Sequence, residues 1–262
     1  MLTKVHLPTS SAEAAGLLDD GGWVLGGGTL VMPRVNTGAV PVDALICLRH
    51  TGLDGIRVAD GVAEVGAAVT LARLGAHDEL GFLVPVVRSI ASPPVRNLAT
   101  VGGNLFAAQP HGDLAVALLA LGARVDVLSV DGSRTVGVGA PIAENELVTA
   151  VHFSSPKVWR YRKAMRRRHN SAAIVTVAAA LDLDDGVVTS ARIALGGVAP
   201  RPVRANAAER ALLGRPLDGP SAQAAAEAAH EGTEPFDDAY ASAWYRARVL
   251  PVHVRRALSG ED

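Results

Sequence analysis

Residues 92–104 read Ser92-Pro93-Pro94-Val95-Arg96-Asn97-Leu98-Ala99-Thr100-Val101-Gly102-Gly103-Asn104, and His111-Gly112-Asp113 stands shortly downstream. Pro93-Pro94 ends an apolar helix predicted over 83–90, because proline removes an amide donor and clashes with the preceding turn. From 95 to 104 the pattern predicts a loop. Thr100 offers a hydroxyl, Gly102 and Gly103 offer amides with no Cβ in front of them, and Asn104 offers a carboxamide. Together they suit a phosphate or a flavin edge. Asp113 opens an apolar helix predicted over 113–123, where an N-cap is its plain structural role. A diphosphate would repel the carboxylate, so as a ligand Asp113 is better matched to a ribose or ribityl hydroxyl.

A second glycine turn lies upstream. Trp23-Val24-Leu25 reads as a short strand running straight into Gly26-Gly27-Gly28-Thr29-Leu30. Consecutive glycines allow positive φ and let amides approach an anion, which makes a nest for a diphosphate, with the Thr29 hydroxyl as a further donor. A plain tight turn has the same composition. The glycine spacing of a Rossmann turn and its acidic residue are absent, and no Lys-Ser/Thr pair closes a P-loop. Two diphosphate-type turns without a nucleotide-hydrolysis motif suggest a dinucleotide held between two lobes.

Around these turns helices and strands alternate irregularly. A helix is predicted over 8–20, and short strands over 42–68 with Asp60-Gly61 as a hairpin turn. A helix starts at Thr70. Strands are predicted over 125–130, 134–138 and 147–153, with Asp131-Gly132 turning between the first two. Composition shifts at Ser154-Ser155-Pro156, which divides the chain into domains 1–155 and 156–262. The second opens with Trp159 to Lys163, continues as a helix-like stretch over 172–180, and turns at Asp184-Asp185-Gly186 into a strand over 187–195. Helices are predicted over 205–213, 221–231 and 239–258.

Composition narrows the function. The 262 residues are 49% hydrophobic and 19% charged, enough apolar material for two ordinary domains. A net charge of -1 leaves no surplus of Lys and Arg for nucleic acid. The single cysteine, Cys47, lies in an apolar run and is expected to be a small buried side chain. Alone it can hold neither an iron–sulfur cluster nor a structural zinc, and the histidines show no metal-ligand spacing, so no metal site is expected. No apolar stretch reaches the roughly 18–20 residues of a membrane span, and the chain reads as soluble and cytoplasmic. Arg166-Arg167-Arg168-His169 is either a solvated basic face or a surface that steers an acidic partner or NAD phosphates.

The run from Ser92 to Asn104, continued to Asp113, resembles the FAD-binding domain of the molybdenum hydroxylase family. That family includes xanthine dehydrogenase and the medium subunit of aerobic carbon monoxide dehydrogenase. Leu25-Gly26-Gly27-Gly28-Thr29 is similar to the family's first FAD turn, usually Ala-Gly-Gly-x-Ser, with Leu25 and Thr29 as departures. Tyr161-Arg162-Lys163, the run from Ala194 to Pro200 and residues 241–258 resemble its C-terminal flavoprotein domain, so the likeness spans nearly the whole chain. It implies an α+β fold: a two-lobed FAD-binding domain of the PCMH type, then a smaller α/β domain with an antiparallel sheet and helices.

The resemblance also implies roles. Leu25, Gly26, Gly27, Gly28, Thr29 and Leu30, with Thr100, Val101, Gly102, Gly103 and Asn104, would wrap the FAD diphosphate and part of the flavin. Asp113 would bind a sugar-type hydroxyl, Leu147 pack near the cofactor, Tyr161 lie against the isoalloxazine ring, and Lys163 place its ammonium near flavin N1. Ile90 stands where some relatives have a stacking aromatic. FAD would sit on this chain, with iron–sulfur clusters and molybdopterin on partner chains: an iron–sulfur small subunit and a molybdopterin-binding large subunit. Electrons would leave to an acceptor such as NAD, oxygen or quinone. A free-standing FAD-dependent oxidoreductase of the same fold would share the first turn but needs its own acid or base, and no candidate stands out. A scaffold that has lost FAD is supported only by Leu25, Thr29 and Ile90.

Overall fold

The computed structural model describes residues 2–38, 42–167 and 170–261. Its first half runs β1 (Lys4–His6), α1 (Ser11–Asp19), β2 (Trp23–Leu25), α2 (Val31–Thr37), β3 (Ala44–Cys47), β4 (Ile56–Ala59), β5 (Val62–Gly66), α3 (Leu71–Gly75), α4 (Val84–Ser89), α5 (Pro93–Arg96), α6 (Val101–Leu105) and α7 (Asp113–Ala120). The second half runs β6 (Arg124–Ser129), β7 (Gly132–Gly137), β8 (Leu147–Ser154), β9 (Val158–Met165), β10 (Ala173–Asp184), β11 (Val187–Gly196), β12 (Val203–Arg204), α8 (Asn206–Leu212), α9 (Gly219–Ala228) and α10 (Ala243–Ser259). The fold is mixed α+β.

Two compact units interleave along the chain. One comprises Met1–Leu83, Ser92–Ala107 and Ala123–Phe153; the other comprises Val84–Ala91, Ala108–Gly122 and Ser154–Asp262. Helices α4 and α7 therefore belong with the C-terminal segment.

The first unit holds two sheets. β1, β3 and β2 form a parallel sheet in that order, and five strands pair in the order β4-β5-β8-β6-β7. The hairpin at Asp60-Gly61 forms because both residues take positive φ, at 50° and 75°, the two-residue turn whose twist matches paired strands. The loop predicted over 95–104 instead carries α5 and α6. Ser92 stands at the N-cap position of a helix with prolines in its first turn but makes no side-chain cap bond, whereas the Thr100 hydroxyl accepts from the Gly103 amide to start the next. Proline at the first helical position costs no hydrogen bond, so Pro93-Pro94 begins α5, whereas α4 has already ended at Ser89.

The second unit is built on the antiparallel sheet β12-β11-β10-β9. The helix predicted over 172–180 is the long strand β10. Alanine favours helix, but Ile174, Val175, Thr176 and Val177 are β-branched and lose less rotamer freedom on a pleated strand. Both faces of β10 are covered, which explains an apolar run without alternation. Val175, Val177, Ala179 and Leu181 join the core that includes Ala208, Leu212, Ala225, Leu250 and Val254 of α8, α9 and α10. On the other face Ala178, with Ala194 of β11, packs on Val116 and Ala120 of α7. The methyl groups there let α7 approach closely. Each fully buried Val or Leu adds about 1.5–3 kcal/mol.

One buried cation has no counterpart in the sequence reading. Arg246 of α10 is fully buried. Its guanidinium donates to the carbonyls of Ala173, Ile174 and Gly197 and pairs with Asp238 at 2.7 Å, while its planar face lies 4.7 Å from the Phe236 ring centre. It thereby ties the C-terminal helix to the first residues of β10.

Candidate functional site

The two glycine turns meet within the first unit. A methyl on Gly27 would overlap the Leu98 carbonyl, and one on Gly26 would lie 2.7 Å from Thr100 Oγ1. Only glycine permits backbones to pass this closely. Gly28 takes φ +75°, and its carbonyl accepts from the Met32 amide at 2.9 Å, turning the chain from β2 into α2. Among the described residues, the N–H groups of Gly27, Gly28 and Thr29 and the Thr29 hydroxyl find no partner. Adjacent unpaired amides on a glycine turn form an anion nest. A diphosphate fits this donor set.

The second turn does something different from what its composition suggests. The Val101 amide donates to Val69 O at 2.9 Å, Gly102 to Ala67 O at 2.9 Å, and Gly103 to Thr100 Oγ1 at 3.1 Å. Those amides are occupied within the protein and offer no nest. Gly102 is small because Ala67 presses on it; a Cβ there would sit 2.9 Å from the Ala67 methyl. Val101 and Asn104 are buried. The second turn is thus a buttress for the first, and Thr100 presents its hydroxyl to the Gly26 backbone.

Asp113, Tyr161 and Lys163 assemble in the second unit. Asp113 lies in the first turn of α7, yet its carboxylate caps no amide. Oδ2 pairs with Lys163 Nζ at 2.8 Å and Oδ1 accepts from Thr176 Oγ1 at 2.7 Å. Lys163 also donates to Ser89 O at 2.9 Å, and Ser89 Oγ is 2.8 Å from the Tyr161 hydroxyl. The side chains of Lys163 and Asp113 are only 3% and 2% exposed. Burial pushes the Asp113 carboxyl above the usual carboxylate range, against the pull of Lys163 and Thr176, and pushes the Tyr161 phenol well above its usual value. The N-cap role considered for Asp113 is absent; its first observed partners are an ammonium and a hydroxyl.

Removing the ammonium from this pair has a signed pH consequence. In Lys163→Met the Asp113 carboxylate stays buried without its cation, which costs about 3–5 kcal/mol. A carboxyl whose folded pKa lies above its unfolded value contributes stability that is present below the unfolded pKa and lost as pH rises through the folded one. Urea unfolding of Lys163→Met should therefore show a larger deficit relative to the unaltered protein at pH 8 than at pH 5, and Asp113→Asn in the same background should flatten that difference. A deficit independent of pH would refute the coupling.

Other expected positions fall elsewhere. Leu147 is 2% exposed within the core cluster of Ala14, Leu18, Ile46 and Leu48, so its side chain is part of the first unit's core. Leu25 pairs in register with Cys47, which is half-buried rather than fully enclosed as its apolar run suggests. Leu30 is exposed and precedes α2. Ile90 is buried. Arg166 and Arg167 are exposed; Arg168 and His169 lie outside the described residues. Ser89 and Thr176 escaped the sequence reading. A lone threonine inside an apolar run is their only local trace, and its meaning needs the strand register. Among the described residues no group of three His, Cys, Asp or Glu is placed to hold a metal, and no helix is long and apolar enough to cross a membrane.

Comparison with known proteins bears on both units. Residues 2–153 match the family model described as FAD binding domain in molybdopterin dehydrogenase, and residues 160–260 match the CO dehydrogenase flavoprotein C-terminal domain. The carbon monoxide dehydrogenase medium chain of Afipia carboxidovorans is 31% identical over 97% of this chain and 94% of its own length. The xanthine dehydrogenase FAD-binding subunit of Escherichia coli O157:H7 is 27% identical over 97% and 94%. Among solved structures, a carbon monoxide dehydrogenase from Hydrogenophaga pseudoflava that lacks the Mo-pyranopterin moiety of its cofactor superimposes with a TM-score of 0.92. It is 29% identical and covers 98% of this chain and 96% of that one.

Proposed function

The chain belongs to the FAD-binding family of the molybdopterin dehydrogenases, and from that premise we propose that it is the electron-transfer subunit of a cytoplasmic molybdenum-containing hydroxylase or dehydrogenase complex. It is an oxidoreductase subunit whose cofactor is FAD. Iron–sulfur clusters on a small partner subunit would deliver electrons that originate at a molybdopterin site on a large one, to an acceptor such as NAD, oxygen or a quinone. A single cysteine cannot ligate a cluster, which supports placing the clusters on another chain. The organic substrate then meets the large subunit, and nothing on this chain needs to recognise it.

When bound, FAD supplies the exchange between two-electron and one-electron carriers. The protein's part is to hold and bias it. The Gly27, Gly28 and Thr29 amides would take the diphosphate, with Leu98 and Thr100 packed against Gly27 and Gly26 holding their turn in shape. In the second unit Lys163, Asp113 and Thr176 form a closed buried network, with Lys163 Nζ 2.8 Å from Asp113 Oδ2 and Thr176 Oγ1 2.7 Å from Asp113 Oδ1. The observation that carries this reading is the set of unpaired amides on a turn that only glycine can form.

Purification from the native host under oxygen-free conditions tests it. The expected preparation contains this chain with one cluster-bearing and one molybdenum-bearing chain, and about one flavin for each copy of this chain. Recovery of this polypeptide alone, yellow and fully active with an organic substrate, would overturn the subunit reading.

A further inference from the structure

We propose that the outward face of α10, a stripe of Trp244, Arg248 and Val252 flanked by Tyr245 and Arg256, is where a partner chain of the complex docks through an acidic patch with an apolar centre. This rests on the reading that the chain works within a multi-subunit complex.

Helix α10 spends its apolar face inward, where Leu250, Val254, Ala257 and Leu258 join the core of the second unit. Positions 244, 248, 252 and 256 recur every four residues and share the outer side over about 18 Å. Trp244 is 68% exposed, more than any other large apolar side chain among the described residues, and Tyr245 and Val252 are exposed beside it. The Arg248 guanidinium lies 5.6 Å from the Trp244 ring centre, so cation and ring present one surface. Apolar side chains scattered singly over a surface are normal. Aligned with arginine on one helix face, they have the composition that carries binding energy at interfaces, where Trp, Tyr and Arg dominate.

Charge names the occupant. α10 contains no Asp or Glu. Arg255 pairs with Glu261 beyond its end, but among the described residues neither Arg248 nor Arg256 pairs with a carboxylate. Burial, and then the charges of Arg162 and Arg256, hold the His253 imidazole down at about 4, so the potential at this end of the helix is positive and the histidine is neutral. An acidic protein surface complements such a patch. A second copy laid on it about a two-fold axis would set the arginines against themselves, and a membrane surface needs the apolar face that α10 has already buried. Permanent interfaces are the more apolar ones, and a tryptophan at the head of the stripe fits a chain that stays bound.

The test dissociates the native complex, recombines its other chains with the full-length chain, and measures the dissociation constant for Trp244→Ala, Arg248→Glu and Arg248→Lys. Trp244→Ala and Arg248→Glu are each expected to bind about 30-fold more weakly, the loss typical of a residue at the centre of an interface. Arg248→Glu should also lose much of the salt dependence of binding, and Arg248→Lys, which keeps the charge, should stay close to the unaltered protein. Thermal unfolding of the free chain should be the same in all three, because these side chains lie on the surface. Undiminished affinity in the alanine and glutamate variants overturns the proposal, as does a loss of affinity matched by a loss of stability in the free chain. Self-association, or binding to phosphatidylserine vesicles, that Trp244→Ala abolishes while the partner chains still bind would overturn it in favour of those occupants. An unaltered chain isolated with no partner would defeat the subunit reading and this proposal with it, whereas partners indifferent to the stripe would defeat the proposal alone.

Discussion

Gly27→Ala is expected to weaken FAD binding markedly. The added methyl would overlap the Leu98 carbonyl, a backbone group held because the amides of Leu98 and Ala99 both donate to Val95 O. A rigid neighbour cannot yield as a flexible side chain would, so the first turn must move. Overpacking of this kind costs about 1–3 kcal/mol. Spent on displacing the three unpaired amides, that corresponds to roughly 5- to 150-fold in FAD affinity. Gly103→Ala is the informative partner, because its methyl meets only the Thr100 hydroxyl, at 3.0 Å, and should cost far less. Fluorescence titration of the two apoproteins with FAD gives the comparison. Equal affinities would show that the contact between the turns has no bearing on the cofactor.

The second large effect concerns stability. Arg246→Met should destabilise the protein by about 3–5 kcal/mol, the usual cost of removing one member of a buried ion pair. Three main-chain carbonyls lose their donor and Asp238 loses its cation. The Asp238 carboxyl, held below its usual range by the Ala241 and Tyr240 amides and by Arg246, is left with the amides alone. Arg246→Lys should recover only part of the loss, since a lysine ammonium lacks the planar fork that reaches several acceptors at once and stacks on Phe236. Urea unfolding followed by tryptophan fluorescence measures both variants. A loss under about 1 kcal/mol for the methionine variant would mean that water replaces the guanidinium without penalty.

Features whose cause is local were legible in advance. Trp23–Leu25 is a strand because it is apolar and ends in glycines; Asp60-Gly61 turns a hairpin because both residues tolerate positive φ; α7 begins at Asp113 as its composition indicates. Features whose cause lies across the fold were not. Residues 172–180 are alanine-rich, but covering on both faces by helices makes them a strand. The amides near residue 100 look like ligand donors in one dimension, whereas the carbonyls of Ala67 and Val69 have already taken two of them. Asp113 carries no mark of its pairing with Lys163, which a distant strand delivers. Thr176 gains significance only from the register that sets it beside that lysine. Arg246 sits in an otherwise amphipathic helix, and no pattern marks it as the buried residue.

The most direct test is a crystal structure of the chain with FAD bound, read at the first glycine turn. Diphosphate oxygens within hydrogen-bonding distance of the Gly27, Gly28 and Thr29 amides are the expected result. A diphosphate held elsewhere, with those three amides facing water or another protein group, would contradict the account.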